Sequence, residues 1–412
     1  MRSPHISIIG SAFSGNKGAS AMLESAITTL RARIPGVTFT LFSMYPSEDA
    51  ALNDHADVEI IDARPRQLGV NINTLALAYR VLRPARSILR SRSRAVAALA
   101  KSDVLLDQGG ITFADGREKF LLYNVASILP ALNIGTAVFK CAQAVGPFMS
   151  PVNRIAAKTF LPKVATIVTR GRITHDFARG LGLTNIHAGA DYAFSLELDG
   201  TEHDVASSVL DTAFFDEGRV VGISPSVVVQ KKVDAAGAAG DYSAHVVALI
   251  NHLTARGLKV FLVPHSVRTG TDATHNNDLP LCRDLFARID HRDRVLFADT
   301  ELPSQVLRYL IGRCDFFIAS RFHAMVSSLA MKVPTLVIGW SHKYREVLEM
   351  FDLEEWAMGF ATASADAMIA RFRELEAAED SVRAKLEEHL PAVKALSVQQ
   401  ADLIAELVLS KR

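Results

Sequence analysis

Short apolar runs, separated by polar turns and helical stretches, recur along the first half of the chain. The runs that predict buried strands are Ile6–Ile9, Val37–Phe42, Val58–Ile61, Val104–Leu106, Ala137–Ala142 and Ile167–Thr169. Runs of this length, bounded by glycine and other turn residues, are typical of strands buried on both faces of a sheet. Because a right-handed helical crossover makes consecutive strands parallel, this alternation predicts a doubly wound domain.

The same alternation begins again after Asp191. Its predicted strands are Val220–Ser224, Lys259–Val263, Val295–Phe297, Phe316–Ala319 and Thr335–Gly339. The polar, acidic segment Leu196–Phe215 is the best linker candidate, and residues 368–412 carry apolar positions at helical spacing. We therefore predict an α/β protein with two doubly wound, Rossmann-like domains, residues 1–195 and 196–367, facing a cleft in a GT-B-like arrangement. The C-terminal helices of residues 368–412 are expected to pack back on the first domain.

Composition and charge narrow the class of protein. A length of 412 residues exceeds what one core usually supports, which agrees with two domains. The charged fraction is 22% and the net charge is +1, so we expect an ordinary soluble protein that does not bind nucleic acid. Three cysteines lie far apart and form no C-x-x-C pair, which favours a reducing, cytoplasmic location.

Two apolar segments resemble targeting or membrane sequences only superficially. The run Ile6–Ile9 is too short for a signal peptide, and a glycine turn follows it at once. The uncharged segment Leu121–Phe139 has the length of a membrane span, but Pro130 and Gly135 interrupt it. A helix, a break and a strand explain this segment better than a membrane span.

The most informative turn is Ser320-Arg321-Phe322-His323, between a predicted strand and the predicted helix Ala324–Met331. Open α/β sheets place ligands at this edge, where helix N-termini also favour anions. A permanent cation and a titratable imidazole at this point favour an anionic substrate and proton transfer. The simpler alternative is that Arg321 pairs with a nearby carboxylate and His323 caps the helix.

Other turns at the same sheet edges carry polar residues and glycines. They are Gly15-Asn16-Lys17-Gly18, Asp107-Gln108-Gly109-Gly110 and Arg170-Gly171. The glycine spacing of the first turn matches neither the dinucleotide-binding fingerprint nor a Walker loop. Tight turns alone explain any one of these sequences, whereas their recurrence at one edge indicates function.

Nine basic residues and no acidic residue lie between Asp62 and Asp103. Arg80, Arg83, Arg86 and Arg90 recur at helical spacing, although Pro84 is expected to split the helix. Such a segment can contact an anionic membrane surface or an acidic glycan, which makes a peripheral membrane contact through Arg80–Arg94 one prediction. The alternative is a solvated surface neutralised by acidic residues near the C-terminus: Glu374, Glu376, Glu379 and Asp380.

A polar loop contains Asp272, His275 and Asp278 at spacings that could hold a metal ion. Isolated aspartates and histidines in such loops are usually solvated side chains. We therefore expect no metal.

Taken in order, these turns resemble the polysaccharide pyruvyl transferase family over nearly the whole chain, to about residue 350. The matching sequences are Gly15-Asn16-Lys17-Gly18, Asp107-Gln108-Gly109-Gly110, Gln143-Ala144-Val145-Gly146-Pro147, Arg170, Asp191-Tyr192-Ala193-Phe194, Pro264-His265, Ser320-Arg321-Phe322-His323-Ala324, Val333-Pro334-Thr335 and Lys343. The chain departs from the family at Ala19, where an aspartate is frequent, and at Gly171, where an acidic residue often follows the arginine. Both departures bear on acceptor specificity.

The resemblance implies transfer of pyruvate from phosphoenolpyruvate to hydroxyls of a polysaccharide or its lipid-linked precursor, forming a ketal. No cofactor is expected, because phosphoenolpyruvate is itself the donor. It further implies an acceptor side in the first domain and a donor side in the second.

The resemblance also implies roles for particular residues. His323 is the expected general acid or base, and His265 is the next candidate. Arg170 and Arg321 are expected to clamp the donor, with Lys343 on its phosphate. Further substrate contacts are expected from the turns, at Asn16, Gly18, Gln108, Gly109, Gly110 and Ser320.

Two alternatives use the same architecture. A nucleotide-sugar-dependent glycosyltransferase of the GT-B type would place its diphosphate at the helix that follows Arg321. A non-catalytic scaffold that binds a glycan or a lipid carrier is the second. The joint presence of Arg170, Arg321, His323 and Lys343 argues against a scaffold.

Overall fold

The computed structural model describes residues 3–237, 240–268 and 276–410. The chain divides into two compact units. The first unit comprises Met1–Ser14, Met22–Ser195 and Ala395–Arg412, and the second comprises Gly15–Ala21 and Leu196–Lys394. The loop after the first strand therefore belongs to the second unit, although its sequence lies near the N-terminus.

The first unit is built on one sheet of eight strands whose neighbours pair in parallel. The strands are β1 (His5–Ile9), β2 (Thr38–Ser43), β3 (Val58–Asp62), β4 (Val104–Asp107), β5 (Ile111–Ala114), β6 (Ala137–Gly146), β7 (Thr166–Arg170) and β8 (Ile186–Gly189). Their spatial order is β3-β2-β1-β4-β6-β7-β8, with β5 paired to β6. The order reverses beside β1, as in other doubly wound sheets.

Helices cover this sheet. They are α1 (Lys17–Arg33), α2 (Pro46–Leu52), α3 (Asn73–Val81), α4 (Arg86–Arg92), α5 (Arg94–Lys101), α6 (Leu121–Ile134), α7 (Pro151–Phe160) and α8 (Arg172–Gly180). From β3 onward the chain steps across the sheet in one direction, so right-handed crossovers place α3–α8 on one face. Leu99, Ile128 and Ala157 of this helical layer share a buried apolar core with Leu105 and Val138 of the sheet.

The second unit is built on a sheet of six parallel strands in the order β11-β10-β9-β12-β13-β14. Its elements are α9 (Glu202–Ser207), β9 (Val220–Ser224), α10 (Val227–Ala236), α11 (Tyr242–Ala255), β10 (Lys259–Leu262), α12 (Leu279–Ala287), β11 (Val295–Phe297), α13 (Ser304–Gly312), β12 (Phe316–Ala319), α14 (Phe322–Ala330), β13 (Thr335–Gly339), α15 (His342–Glu349), β14 (Ala357–Gly359) and α16 (Ala365–Ala377). Helix α17 (Glu379–Leu409) begins in this unit, and from Ala395 onward it belongs to the first unit. Every residue of β9 and β12 is buried. These continuous apolar runs therefore form the centre of the sheet, as expected for parallel strands covered on both faces.

Several local predictions are confirmed. The apparent membrane span folds as helix α6, then Gly135 in the left-handed conformation, then strand β6. Pro130 lies within the helix. Pro84 separates α3 from α4, as expected. Among the described residues, no helix combines the length and apolar character needed to cross a membrane.

The predicted neutralisation by the C-terminal acidic residues is wrong for three of them. Glu374 pairs with Arg371, Glu376 pairs with Arg256, and Glu379 pairs with Arg219 and Arg383. All of these partners belong to the second unit. These three carboxylates therefore do not neutralise the arginines of α3 and α4.

Candidate active site

Polar side chains follow four neighbouring strands of the second sheet. His265 follows β10, Ser226 follows β9, Arg321 and His323 follow β12, and Lys343 follows β13. Because all these strands are parallel, their carboxyl ends meet at one edge of the sheet. The structure therefore brings together the residues predicted for this domain.

Arg321 is fixed by a bidentate ion pair with a buried carboxylate. Its Nε donates to Asp278 Oδ2 at 2.7 Å and its Nη2 donates to Asp278 Oδ1 at 2.6 Å. Its Nη1 donates to Asn276 Oδ1 at 2.7 Å. The Asp278 carboxylate also accepts the backbone N–H groups of Val227 and Ser266. The simpler prediction for Arg321, a carboxylate partner, is thus confirmed, and its planar fork is occupied.

Ser320 lies beneath this arginine in a buried hydrogen-bond network. The Tyr242 hydroxyl donates to Ser320 Oγ at 2.8 Å, and the Tyr344 hydroxyl donates to the Ser320 carbonyl at 3.2 Å. Burial raises the pKa of both tyrosines, so both phenols stay protonated. Ser320 is 2% exposed and supports the turn, while its predicted contact with the substrate stays a prediction.

The glycine-containing loop of residues 15–21 is bound to the strand end that carries His265. Asn16 forms an isolated antiparallel bridge with Ser266. The Lys17 N–H donates to the His265 carbonyl at 3.2 Å, and the Val267 N–H donates to the Gly15 carbonyl at 3.0 Å. The Asn16 side chain accepts the Gly18 N–H at 3.1 Å, which shapes the turn itself.

Lys17 of this loop forms a buried ion pair that the sequence did not predict. Its Nζ lies 2.6 Å from Glu301 Oε1, and the same oxygen accepts the Gly15 N–H at 3.1 Å. The lysine side chain is 3% exposed and the glutamate side chain is 16% exposed. Glu301 therefore anchors the loop through both a charge and a backbone hydrogen bond.

Gly18 packs directly against His323. A Cβ atom at Gly18 would lie 1.9 Å from His323 Nδ1 and 2.5 Å from its Cβ, far inside van der Waals contact. The Phe322 ring meets the imidazole edge-on, with ring centroids 5.0 Å apart. A glycine is therefore required here by the close approach of the imidazole.

His265 is buried beside several positive groups. Burial lowers its pKa well below the usual range, and the charges of His323, Arg321, Arg308 and Lys17 lower it further. His265 is therefore a neutral imidazole near neutral pH. This electrostatic state suits a hydrogen-bonding role and disfavours the general-acid role that was its alternative prediction.

Two adjacent helices begin at this edge. Helix α14 begins after Arg321 and α15 begins after Ser341, and neither of these two side chains caps the helix that follows it. His323 lies inside α14, so the prediction that it caps the helix is wrong. Exposed N–H groups and the helix dipole make such N-termini favourable for anions.

Lys343 lies in the first turn of α15, over an aromatic surface. Its Nζ lies 4.6 Å from the centroid of Phe322 and 5.0 Å from that of Trp340. Lys232 approaches the same Trp340 ring at 4.8 Å. Both ammonium groups therefore add positive charge near the starts of α14 and α15.

The polar loop that was considered as a metal site gives no support for a metal ion. Asp272 and His275 lie outside the described residues, and Asp278 is committed to Arg321. Within the ranges that the structure describes, no cluster of three or more histidines, cysteines or acidic residues could hold a metal ion.

The predicted site residues of the first unit form a second, separate edge. Asp107 pairs with Lys140 in the interior and accepts the Gly109 N–H at 2.9 Å. The Gln108 amide donates to the Met22 carbonyl at 3.0 Å, and the residue is 1% exposed. The Gln108 side chain thus supports the loop, and its predicted contact with the substrate stays a prediction.

The glycines of this turn differ in their surroundings. A Cβ atom at Gly109 would meet Thr112 at 2.9 Å, whereas one at Gly110 would meet nothing within 4 Å. The Gly110 carbonyl accepts hydrogen bonds from the Ala144 N–H at 3.1 Å and from Arg170 Nη2 at 3.0 Å. Gly110 is therefore the open position of the turn, and Gly109 is its packed position.

Arg170 forms an internal ion pair, and its predicted role as a donor clamp stays a prediction. Its Nη1 donates to Asp191 Oδ2 at 2.6 Å, and the two side chains are 2% and 0% exposed. The same carboxylate accepts the Ala193 N–H at 2.9 Å. A guanidinium enclosed in this way fixes the Gly110 turn and is not presented to a ligand.

Sequence reasoning missed the partners of the predicted residues. Glu301 carries no local signal, because its contact with Lys17 joins residues 284 positions apart. Asp278 was noticed, but as a metal candidate and not as the partner of Arg321. Tyr242 lies in an ordinary apolar helix, and nothing in its neighbourhood indicates Ser320 as its partner.

Comparisons with known proteins agree with this geometry. A family model described as polysaccharide pyruvyl transferase matches residues 16–342 of the chain. The match spans both strand-end regions, from the Asn16 loop to the start of α15.

Solved structures share the fold at low sequence identity. UDP-GlcNAc 2-epimerase from Neisseria meningitidis bound to UDP-GlcNAc is 11% identical, with a TM-score of 0.63 over 99% of this chain and 100% of that chain. A putative UDP-N-acetylglucosamine 2-epimerase from Listeria monocytogenes is 10% identical, with a TM-score of 0.62 over 97% and 94%. A ugt transferase from Siraitia grosvenorii in complex with UDP is 12% identical, with a TM-score of 0.58 over 98% and 99%. These GT-B proteins confirm the predicted fold class and show the fold alone.

Proposed function

We propose that this chain, which belongs to the polysaccharide pyruvyl transferase family, transfers pyruvate from phosphoenolpyruvate to two hydroxyls of a saccharide and forms a cyclic ketal. The observation that carries the proposal is the setting of His323. Its imidazole lies in the first turn of α14, against Gly18 and beside the neutral His265. A titratable group is thereby held where an anionic donor would bind.

The donor carries a carboxylate and a phosphate, so its site needs fixed positive groups. The first turns of α14 and α15 favour an anion through the helix dipole, and Lys343 supplies an ammonium group beside them. Arg321 is proposed to act as a fixed positive charge beside this pocket. Its fork is held by Asp278, so we revise the bidentate donor clamp to an electrostatic contact through the exposed edge of the guanidinium.

In the proposed reaction, His323 donates a proton to the methylene carbon of phosphoenolpyruvate, and that carbon becomes a methyl group. One saccharide hydroxyl attacks the resulting cationic carbon. The carbon–oxygen bond to phosphate then breaks, and a second hydroxyl closes the ketal. Of the two hydroxyl protons released, one restores His323 and the other leaves with inorganic phosphate.

The remaining predicted residues are proposed to position this chemistry. Asn16 and Gly18 hold the imidazole of His323, and His265 stays neutral beside it. In the first unit, Arg170, Gln108 and Gly109 keep the Gly110 turn in shape for a saccharide acceptor.

Phosphate release from phosphoenolpyruvate in the presence of candidate saccharide acceptors tests the proposal. We expect release to depend on the acceptor, and the product to carry one pyruvate per phosphate released. Acceptor-dependent release that is absent for every saccharide and lipid-linked saccharide tried would contradict it.

A nucleotide-sugar-dependent glycosyltransferase remains the alternative, because fold neighbours bind UDP or UDP-GlcNAc. Thermal unfolding separates the two functions, since a ligand that binds the native state raises the melting temperature. We expect phosphoenolpyruvate to raise it and UDP or GDP sugars to leave it unchanged. The reverse result would favour the glycosyltransferase.

A further inference from the structure

The outer side of the helical layer of the first unit carries an unusual charge distribution. Residues 63–175, which include α3–α7, contain 17 lysines and arginines against four acidic residues, in a protein of net charge +1. All four carboxylates are engaged: Asp103 with the His5 N–H, Asp107 with Lys140, Asp115 with backbone N–H groups of residues 149 and 150, and Glu118 with the Gly116 N–H. Two of the 17 basic residues, Lys140 and Arg170, lie in buried ion pairs of the interior, and the others are not enclosed in this way. The positive charge of this region is therefore poorly compensated.

The segment from residue 80 to residue 94 lies on this surface. None of its 15 residues is buried, and six of them are arginines. Of these six, Arg94 is the one that pairs with a carboxylate of the described residues, namely Glu59. The segment also exposes large aliphatic side chains, since Val81 is 66% exposed and Ile88 is 54% exposed. An amphipathic helix normally buries such side chains, whereas no residue of α4 is buried.

Helix α7 repeats this combination. Val152 and Ile155 of this helix are more than half exposed, as is Met149 just before it. Arg154 and Lys158 lie among them, and both are exposed. Exposed aliphatic side chains interleaved with basic ones mark a contact surface more often than a solvated one.

The two groups belong to one surface. A depression between α3, α6 and α7 is lined by Arg80, Leu129, Leu132, Asn133, Phe160 and Lys163. Arg80 Nη1 donates to Asn133 Oδ1 at 3.2 Å across it, and Lys163 lies over the Phe160 ring at 5.4 Å. We call the surface formed by the exposed residues of 77–92 and 149–163 the basic apolar face.

We propose that the basic apolar face docks the protein on an anionic lipid bilayer. Arginines bind lipid head groups while their aliphatic stems lie along the acyl boundary, and neighbouring aliphatic side chains enter the interface. A second copy of the chain would oppose like charges. An acidic glycan or a nucleic acid would engage the arginines and leave the aliphatic side chains in water. A bilayer can bind the arginines and also take up the aliphatic side chains. This docking does not depend on which donor the protein uses.

Sedimentation with phosphatidylcholine vesicles, with and without phosphatidylglycerol, tests the charged part. The basic variant replaces Arg83, Arg90, Arg92 and Lys158 by glutamine, and it spares Arg80 and Arg86, which contact Asn133 and the Tyr79 carbonyl. We expect the wild-type protein to bind vesicles that contain phosphatidylglycerol at low salt. Loss of four basic contacts should reduce binding by up to about 10³-fold, and high salt should have a similar effect.

A matched control removes the same charge elsewhere. Arg283, Arg288, Arg292 and Arg294 are exposed residues of the second unit, and their replacement by glutamine should leave vesicle binding near the wild-type level. Equal losses in both variants would show a response to net charge and would overturn the docking face.

The aliphatic part is tested by replacing Val81, Leu82 and Ile88 with serine. This variant should bind anionic vesicles more weakly and should release completely at a lower salt concentration than the wild-type protein. Unchanged vesicle binding would overturn the insertion of aliphatic side chains. A concentration-dependent dimer that these substitutions abolish would instead assign the face to a second copy. Phosphate release with a soluble acceptor should persist in all three variants, so a failure of the proposed reaction would be seen separately.

Discussion

The loop edges of the two sheets both contain cation–carboxylate ion pairs, but these pairs differ in how exposed their side chains are. Each edge holds two cation–carboxylate pairs that join residues far apart in sequence. In the first unit, the pairs Lys140–Asp107 and Arg170–Asp191 are almost completely enclosed, with side-chain exposures of at most 3%. In the second unit, Lys17–Glu301 and Arg321–Asp278 each keep one partner partly open, at 16% and 13%.

This difference indicates a division of labour. A fully enclosed pair fixes the shape of a loop, because neither charge can reach a ligand without leaving its partner buried and unpaired. A partly open pair still holds its residues but leaves a charged edge available. The second edge also holds His323 and the N-termini of α14 and α15, which the side chains of Arg321 and Ser341 do not cap. An arginine at the end of a parallel strand therefore identifies an edge, and its degree of enclosure distinguishes the two edges. In the proposed function, the partly open edge is the one that performs chemistry.

The largest effect is expected from His323. Replacement by alanine should lower the turnover number by roughly 10²–10⁴, the range for loss of a general acid or base, with little change in the free energy of unfolding. The matched control is His175→Ala, because His175 follows strand β7 of the first edge and its Nδ1 forms a hydrogen bond with Thr169 Oγ1 at 2.9 Å. Phosphate release and urea unfolding measure the two quantities. Near-wild-type turnover of the His323 variant would remove this residue from the mechanism.

The two arginines should respond to truncation in opposite ways. Arg170→Ala leaves Asp191 buried without its ion-pair partner and should reduce the free energy of unfolding by about 3–5 kcal/mol. Arg321→Ala should destabilise less, because Asp278 keeps two backbone N–H donors, but it should greatly reduce phosphate release. Arg321→Lys should be nearly as inactive, since lysine retains the charge and loses the fork that binds Asp278.

Urea unfolding and donor titration of the same variants decide between these expectations. A stable Arg170→Ala protein with weakened donor binding would reinstate the clamp predicted from the sequence. A lysine variant at position 321 with full donor affinity would show that its fixed orientation is unnecessary.

The strands that the sequence predicted and those it missed differ in a physical way. Central strands such as β9 and β12 are continuous apolar runs, because a parallel sheet buries both of their faces. The strands β5, β8 and β14 lie at the margins, have three or four residues and include exposed or half-exposed positions. Their sequences therefore carry little of the apolar signal on which the prediction depended.

The candidate site was predictable to a similar, limited extent. Parallel strands bring their carboxyl ends to one edge, so His265, Arg321 and His323 could be grouped from the order of the motifs alone. Their partners could not, because Glu301 and Asp278 approach through loops whose path depends on the whole fold. The burial that separates Arg170 from Arg321 is likewise a property of packing, and the local sequence of the two turns does not contain it.

Substitution of Gly18 tests the second edge further, because it should change the turnover number by displacing His323. Gly18→Ala places a Cβ atom where the imidazole now lies, so the ring must move. A displacement of about 1 Å at a reacting group typically reduces the rate by roughly 10². The turnover number should fall while the KM for phosphoenolpyruvate changes little, and the pH profile of the turnover number should shift. Gly180→Ala is the control in the first unit, since its Cβ would meet nothing within 4 Å. A variant at position 18 that lost only stability, with an unchanged pH profile, would reduce Gly18 to a structural role.

The smallest expected effect concerns His265 and the pH dependence of stability. Burial and neighbouring positive charges lower the pKa of folded His265 below the unfolded value of about 6.5. Between these two pKa values the unfolded chain binds a proton that the folded protein does not, so stability rises with pH and falls as the medium becomes acidic. The contribution of one such group has a slope of at most about 1.4 kcal/mol per pH unit below pH 6.5. His265→Gln should remove this part of the slope, whereas His175→Gln at the first edge should retain it. Urea unfolding at several pH values measures the slope, and an unchanged slope in the His265 variant would show that His265 does not contribute to it.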